Sequence, residues 1–141
     1  MDLRASVSGN AFERIVTAAF VPFLRELGFT QSAVHSSGRF SSVKFQGSRH
    51  VLCVSYEYGD DYLNIMLLTR GTEELRDMDD PTKSPRLADL NNRYASLITP
   101  EERADNQHYF ADIVARDPLE HRLLKSAKEL RLALIKHLEL S

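Results

Sequence analysis

Cysteine is nearly missing from this chain: Cys53 stands alone among 141 residues. One thiol excludes an intramolecular disulfide and every multi-cysteine zinc cluster. Charge of one sign is missing as well. Eighteen Lys and Arg stand against twenty Asp and Glu, a net charge of −2 with pI near 6.2, and a nucleic-acid-coating protein should carry a basic excess. Purely apolar stretches run to only a few residues, too short to span a bilayer. Residues 1–20 lack a basic start, an apolar run and a small-residue cleavage site, so no secretory leader is expected. What is present is ordinary for a globular domain, with 43% apolar and 27% charged residues. At this length a chain buries about two-thirds of the surface its unfolded form exposes, so a single domain over residues 1–141 needs no staple. The expected setting is the cytoplasm.

Chemical motifs are equally scarce. The six glycines are isolated, and none builds a phosphate-cradling loop. No Ser sits in a Gly-x-Ser-x-Gly elbow. His35, His50, His108, His121 and His137 form no short-range metal-binding pair. His35 and His50 are the two that could meet across a sheet. Cys53, between Leu52 and Val54, reads as a small buried apolar residue. The expectation is no catalytic residue, no metal and no cofactor.

Periodicity supplies the architecture. Over 10–28, Phe12, Ile15, Val16, Ala19, Phe20, Phe23, Leu24 and Leu27 recur every three or four residues, one face of a helix. Ser8 or Asn10 suits its start and Gly28 its left-handed end. Pro22 removes a backbone donor and predicts a kink or restart near Phe20. From 30 to 70 the period becomes two, in runs near 30–36, 39–46, 50–58 and 62–70. Ser37-Gly38, Gly47-Ser48 and Gly59-Asp60-Asp61 separate them. Connections this short join antiparallel neighbours, so a four-stranded meander is predicted. Large apolar residues on both faces of the last two runs place those runs at its centre. Residues 72–84 lose periodicity and read as an acidic loop. Helices follow over 86–139: Leu87, Leu90, Tyr94, Leu97 and Ile98 mark the first. Thr99-Pro100-Glu101-Glu102 and Asp117-Pro118-Leu119-Glu120 read as two capping boxes. The last helix carries Leu119, Leu123, Ala127, Leu130, Leu134 and Leu138 as a core stripe, with Lys125, Lys128, Arg131 and Lys136 as the solvated side. The fold class is α+β: an N-terminal helix, then the meander, then two or three helices packed on one sheet face.

One constellation departs from this even background. Between Glu57 and Asp80 lie Glu57, Asp60, Asp61, Glu73, Glu74, Asp77, Asp79 and Asp80 against Arg70 and Arg76, a net −6, leaving +4 for the rest. Tyr56, Tyr58 and Tyr62 flank the first cluster, and such amphipathic aromatics are favoured at interfaces. One reading is a docking surface for a basic partner, with the carboxylates accelerating encounter. The plainer reading is a set of solvated turns.

The order of a long aromatic helix ending in Leu27-Gly28-Phe29, then "RFSSVKFQ" and "HVLCVSYEYGDDYLNIML", then helices, resembles small bacterial α+β proteins found beside polymorphic and contact-dependent toxins. The resemblance covers about residues 10–70. It implies immunity: a cytoplasmic protein that binds and masks its cognate toxin. The charge balance and the short apolar stretches argue separately against a nucleic-acid or membrane partner. A nuclease toxin would present a basic channel that an acidic surface can fill. Two other classes stay open. One is a secretion-chaperone-like dimer that holds an unfolded segment, for which the apolar last helix would serve dimerisation. The other is an enzyme or small-ligand binder in which Arg39, Arg49 or Arg70 holds an anion.

Overall fold

Pro22 shapes the first element. A proline has no N–H to offer the carbonyl four residues back, and its ring crowds that carbonyl. In the computed structural model, which describes residues 11–69 and 84–140, the helix of residues 11–26 (α1) accommodates this by widening. Val16–Phe20 form a π-helical turn, the Val21 N–H reaches back five residues to the Val16 oxygen, and the α-form resumes over Val21–Glu26. Gly28 then stops the helix at φ +90°. The Gly28 N–H donates to the Arg25 carbonyl at 3.1 Å and the Phe29 N–H to the Leu24 carbonyl at 2.8 Å, a complete Schellman motif. Its apolar contact is in place, because Leu24 and Phe29 are both buried.

Four strands follow at the expected positions: β1 Thr30–Ser36, β2 Phe40–Gln46, β3 His50–Glu57 and β4 Tyr62–Thr69. They form an antiparallel sheet in the order β1-β2-β3-β4. Register places Val43, Val54 and Ile65 in one row and Phe45, Leu52 and Leu67 in the next. These rows form the inner face of a single buried core shared with α1 and the later helices. The period-two alternation thus produces what it predicts, a sheet with one face against helices.

The placement of β4 corrects the sequence reading. The central pair is β2 and β3, and β4 lies at the end of the sheet. Its two apolar faces have a different cause: Ile65 and Leu67 belong to the core, while Met66 and Leu68 are buried on the opposite face beside Val51. The outer edge of β4 is covered by returning chain, with the Leu67 N–H donating to the Pro85 carbonyl at 2.9 Å and Met66 bridged to Arg86. β1 is the open edge, exposed along its whole length.

The expected acidic loop over 72–84 lies outside the described residues, Ser84 excepted. Beyond it, α2 spans Leu87–Tyr94 and a 3-10 turn spans Ala95–Leu97. Leu97 was expected on the apolar face, yet the change of pitch turns it outward, 51% exposed. α3 spans Pro100–Tyr109 behind the expected box: the Glu102 N–H donates to Thr99 Oγ1 at 3.1 Å and the Thr99 N–H to Glu102 Oε1 at 3.0 Å. α4 spans Pro118–Leu140.

The second box is half-formed. The Glu120 N–H donates to Asp117 Oδ1 at 2.9 Å, but the Glu120 carboxylate turns to the Arg116 N–H at 2.8 Å and to the Arg14 guanidinium. The solvated side expected for α4 is also corrected, because α3 docks on it. Lys128, Arg131 and Lys136 are half-buried; Arg131 donates to Asn106 Oδ1 at 2.9 Å and stacks 4.1 Å from the Tyr109 ring, and Lys136 pairs with Glu102 at 2.8 Å. Of the four cations, only Lys125 is exposed. Among the described residues, no helix is long and apolar enough to cross a membrane.

Candidate functional site

The β3–β4 turn carries the described half of the acidic constellation. Asp61 adopts φ +48°, a left-handed conformation that Asp tolerates better than most residues. That twist aims its carboxylate back over the sheet, where Oδ1 accepts from the Tyr56 hydroxyl and from Nη1 of Arg122 on α4. The Arg122 Nη1 also donates to the Asp61 carbonyl at 3.3 Å, and its guanidinium lies 5.8 Å from the Tyr56 ring centre. The hydroxyl bond and the guanidinium hold the Asp61 carboxyl below the usual carboxylate range. Burial and the bond to Asp61 push the Tyr56 phenol up to about 12.

The sequence-predicted residues therefore divide. Tyr56 is 7% exposed and belongs to the core, so its ring is unavailable to a partner. Asp61 is bound within the chain. Tyr58 is half-buried, with its hydroxyl on Ser41 and its ring edge-on to Tyr56 at 5.1 Å. Glu57 and Asp60 are exposed, and Tyr62 is 50% exposed. Among the described residues neither Glu57 nor Asp60 has a cation partner. Among the described residues the turn thus presents two carboxylates without a cation partner and one aromatic ring, on a base fixed by Asp61. Glu73, Glu74, Asp77, Asp79 and Asp80 lie outside the described residues.

The histidines also sort differently. His35 packs against Phe40 at 5.7 Å rather than meeting His50. His50, on the core face at the far end of β3, meets His137 of α4 with ring centres 5.5 Å apart. His137 Nδ1 shares a 2.6 Å hydrogen bond with the Tyr94 hydroxyl. Burial lowers the pKa of both imidazoles; Arg49 adds to this at His50, and His50 and Arg93 add to it at His137. Among the described residues no three His, Cys, Asp or Glu side chains are grouped to hold a metal ion. Cys53 is half-buried on the outer sheet face, in register with Lys44 and Met66.

The anion-holding arginines expected on the strands are not there: Arg39 and Arg49 lie exposed in turns, and Arg70 lies outside the described residues. Other cations do share one cavity, together with the carboxylate of Glu129. A cavity of about 380 Å³ opens between β4, the start of α2 and the first half of α4, and Arg86, Arg122 and Lys125 line it. No spacing in the sequence announces it, because its members are 36 or more residues apart except for the Arg122–Lys125 pair, one helical turn on α4. Tyr62 lines the same cavity, so it adjoins the acidic turn. No protein-family model, characterised protein or solved structure matches the chain.

Proposed function

We propose that this protein is a non-enzymatic binding protein of the cytoplasm that docks a basic, folded partner on the β3–β4 turn. By the resemblance of residues 10–70, the partner is a cognate bacterial toxin that the docking masks. The observation that carries the reading is the arrangement of Glu57, Asp60 and Tyr62 around the anchored Asp61. The two exposed carboxylates of Glu57 and Asp60 steer a cationic surface toward the turn, and the aromatic ring gives it apolar area to bury. Because Asp61 is tied to Tyr56 and Arg122, the turn is ordered before binding and little conformational freedom is lost on contact.

The test uses Glu57→Lys and Asp60→Lys together, leaving Asp61 in place so that the fold is not disturbed. Affinity capture from an extract of the producing cells compares this variant with the parent at low and high salt. The expected result is one stoichiometric basic protein held by the parent at low salt, released at high salt and lost from the variant. Retention of that protein by the variant, or recovery only of unfolded segments insensitive to salt, overturns the reading. The second result favours a chaperone.

A further inference from the structure

We propose that β1 is an interface with a second copy of this chain, the two β1 strands pairing antiparallel into one sheet continuous across both copies. The fold treats its two sheet edges differently. At β4 the returning chain covers the edge through Pro85 and Arg86. At β1, among the described residues, no strand lies beyond, and all seven residues of the strand are exposed. The β1–β2 hairpin fixes which backbone groups are left over. The Ser37 N–H donates to the Phe40 carbonyl at 2.8 Å, and bonded and non-bonded pairs alternate from there along an antiparallel ladder. Ala33–Lys44 and His35–Ser42 are therefore bonded pairs, whereas Val34–Val43 and Ser36–Ser41 are not. Val34 and Ser36 thus turn their N–H and C=O groups outward, and such a row is a template for another extended strand. Edges are commonly guarded by charge, by proline or by a bulge. β1 has a bulge between Gln31 and Ala33, but no charged residue or proline from Thr30 to Ser36, and its register is regular from Ala33 onward.

Three observations name a second copy as the added strand. First, the seam is uncharged, so β1 meets its own copy without like-charge repulsion. Second, a two-fold axis at Val34 sets its outward N–H and C=O against the same two groups of the copy, and each donor finds an acceptor. The same axis packs the Val34 side chain, 51% exposed and the one large aliphatic residue of β1, against its counterpart. Third, a cleft of about 190 Å³ lies between α1 and β1, with Phe12, Val16, Val34 and Val43 among its lining. A strand added at this edge brings its inward apolar side chain beside that cleft and takes the lining out of water. The dimer role that the sequence offered to the last helix is closed to it, because Leu123, Ala127, Leu130 and Leu134 are buried in the chain's own core. A two-fold axis through the sheet reverses strand direction, so the two β3–β4 turns point to opposite ends of the dimer. The proposal is therefore independent of the docking role of that turn.

Sedimentation equilibrium of the full chain, run across a range of protein concentrations, tests the interface. The expected result is a mass that rises from 16.0 kDa toward twice that value in the parent, while Val34→Lys stays at the monomer mass throughout. Leu97→Lys removes an equally exposed apolar residue from the 3-10 turn after α2 and should dimerise as the parent does. Amide hydrogen exchange of the parent supplies a readout that needs no variant: the Val34 and Ser36 amides should exchange more slowly as concentration rises. A parent that stays monomeric, a dimer that persists in Val34→Lys, or exchange at Val34 and Ser36 that ignores concentration overturns the proposal.

Discussion

Glu120 shows how much a single side chain can depend on a partner far along the chain. It is 3% exposed, and burial alone would push its pKa up. The Arg14 guanidinium and the Arg116 N–H outweigh burial and hold the carboxyl below its usual range. Arg14 Nε contributes a 3.1 Å bond to Oε2, and its Nη2 binds Oε1. Removing one member of such a pair leaves a buried charge unmatched. Arg14 keeps 37% of its side-chain exposure, which lets water share the loss. Arg14→Met should therefore destabilise the chain by about 2–3 kcal/mol at neutral pH, below the range for fully buried pairs. The paired variant Arg14→Met with Glu120→Met should recover most of this. Urea denaturation of the parent, of Arg14→Met, of Glu120→Met and of the paired variant checks both statements, and an additive paired variant would show that the two groups are not coupled.

At the scale of elements, helix α1 is defined by two backbone rules acting six residues apart. Pro22 forces the π-turn of Val16–Phe20, and Gly28 ends the helix in a conformation that a Cβ disfavours. There is space for a methyl group at Gly28, with no atom within 4 Å, so the effect of Gly28→Ala isolates backbone strain. That substitution should cost about 1–2 kcal/mol, because φ +90° is poorly available to any residue with a Cβ. Gly59→Ala, equally uncrowded and without a positive φ, is the control and should change stability by less than about 0.5 kcal/mol. Thermal melts of the two variants distinguish strain at Gly28 from a general effect of adding a methyl.

For the molecule as a whole, the His50–His137 contact joins the end of the sheet to the last helix and makes stability depend on pH. Both imidazoles bind a proton less readily in the folded chain than at the ordinary value of 6.5. The unfolded chain therefore takes up more protons as pH falls through that value, and stability rises with pH across the window. It should be complete above about pH 6.5 and decline below it, down to the lowered native values. Asp61, Glu102 and Glu120, whose carboxyls are held below their usual range, lose their contributions separately at more acid pH. Urea midpoints at pH 7.5 and 5.5 should show the decline in the parent, and His50→Gln with His137→Gln should flatten it. An equal decline in the double variant would place the titration elsewhere.

Local chemistry was legible in the sequence wherever the deciding partners lie within one turn or one hairpin. The period change at Thr30, the three turns, the Thr99 box, the disturbance near Pro22 and the Gly28 stop all follow from interactions among neighbours. Tertiary structure decided what depends on partners far along the chain. It placed β4 at the sheet's end under the 84–86 segment, turned Glu120 toward Arg14, and brought α3 onto the side of α4 that its charges marked as solvated. It also divided the acidic turn into an anchor and two exposed carboxylates, because Arg122 reaches Asp61 across 61 positions of sequence. The cavity beside β4 belongs to the same class. Arg86, Arg122 and Lys125 are ordinary surface-forming residues when read in order, and only the packing of α2 and α4 beside β4 gathers them around one space.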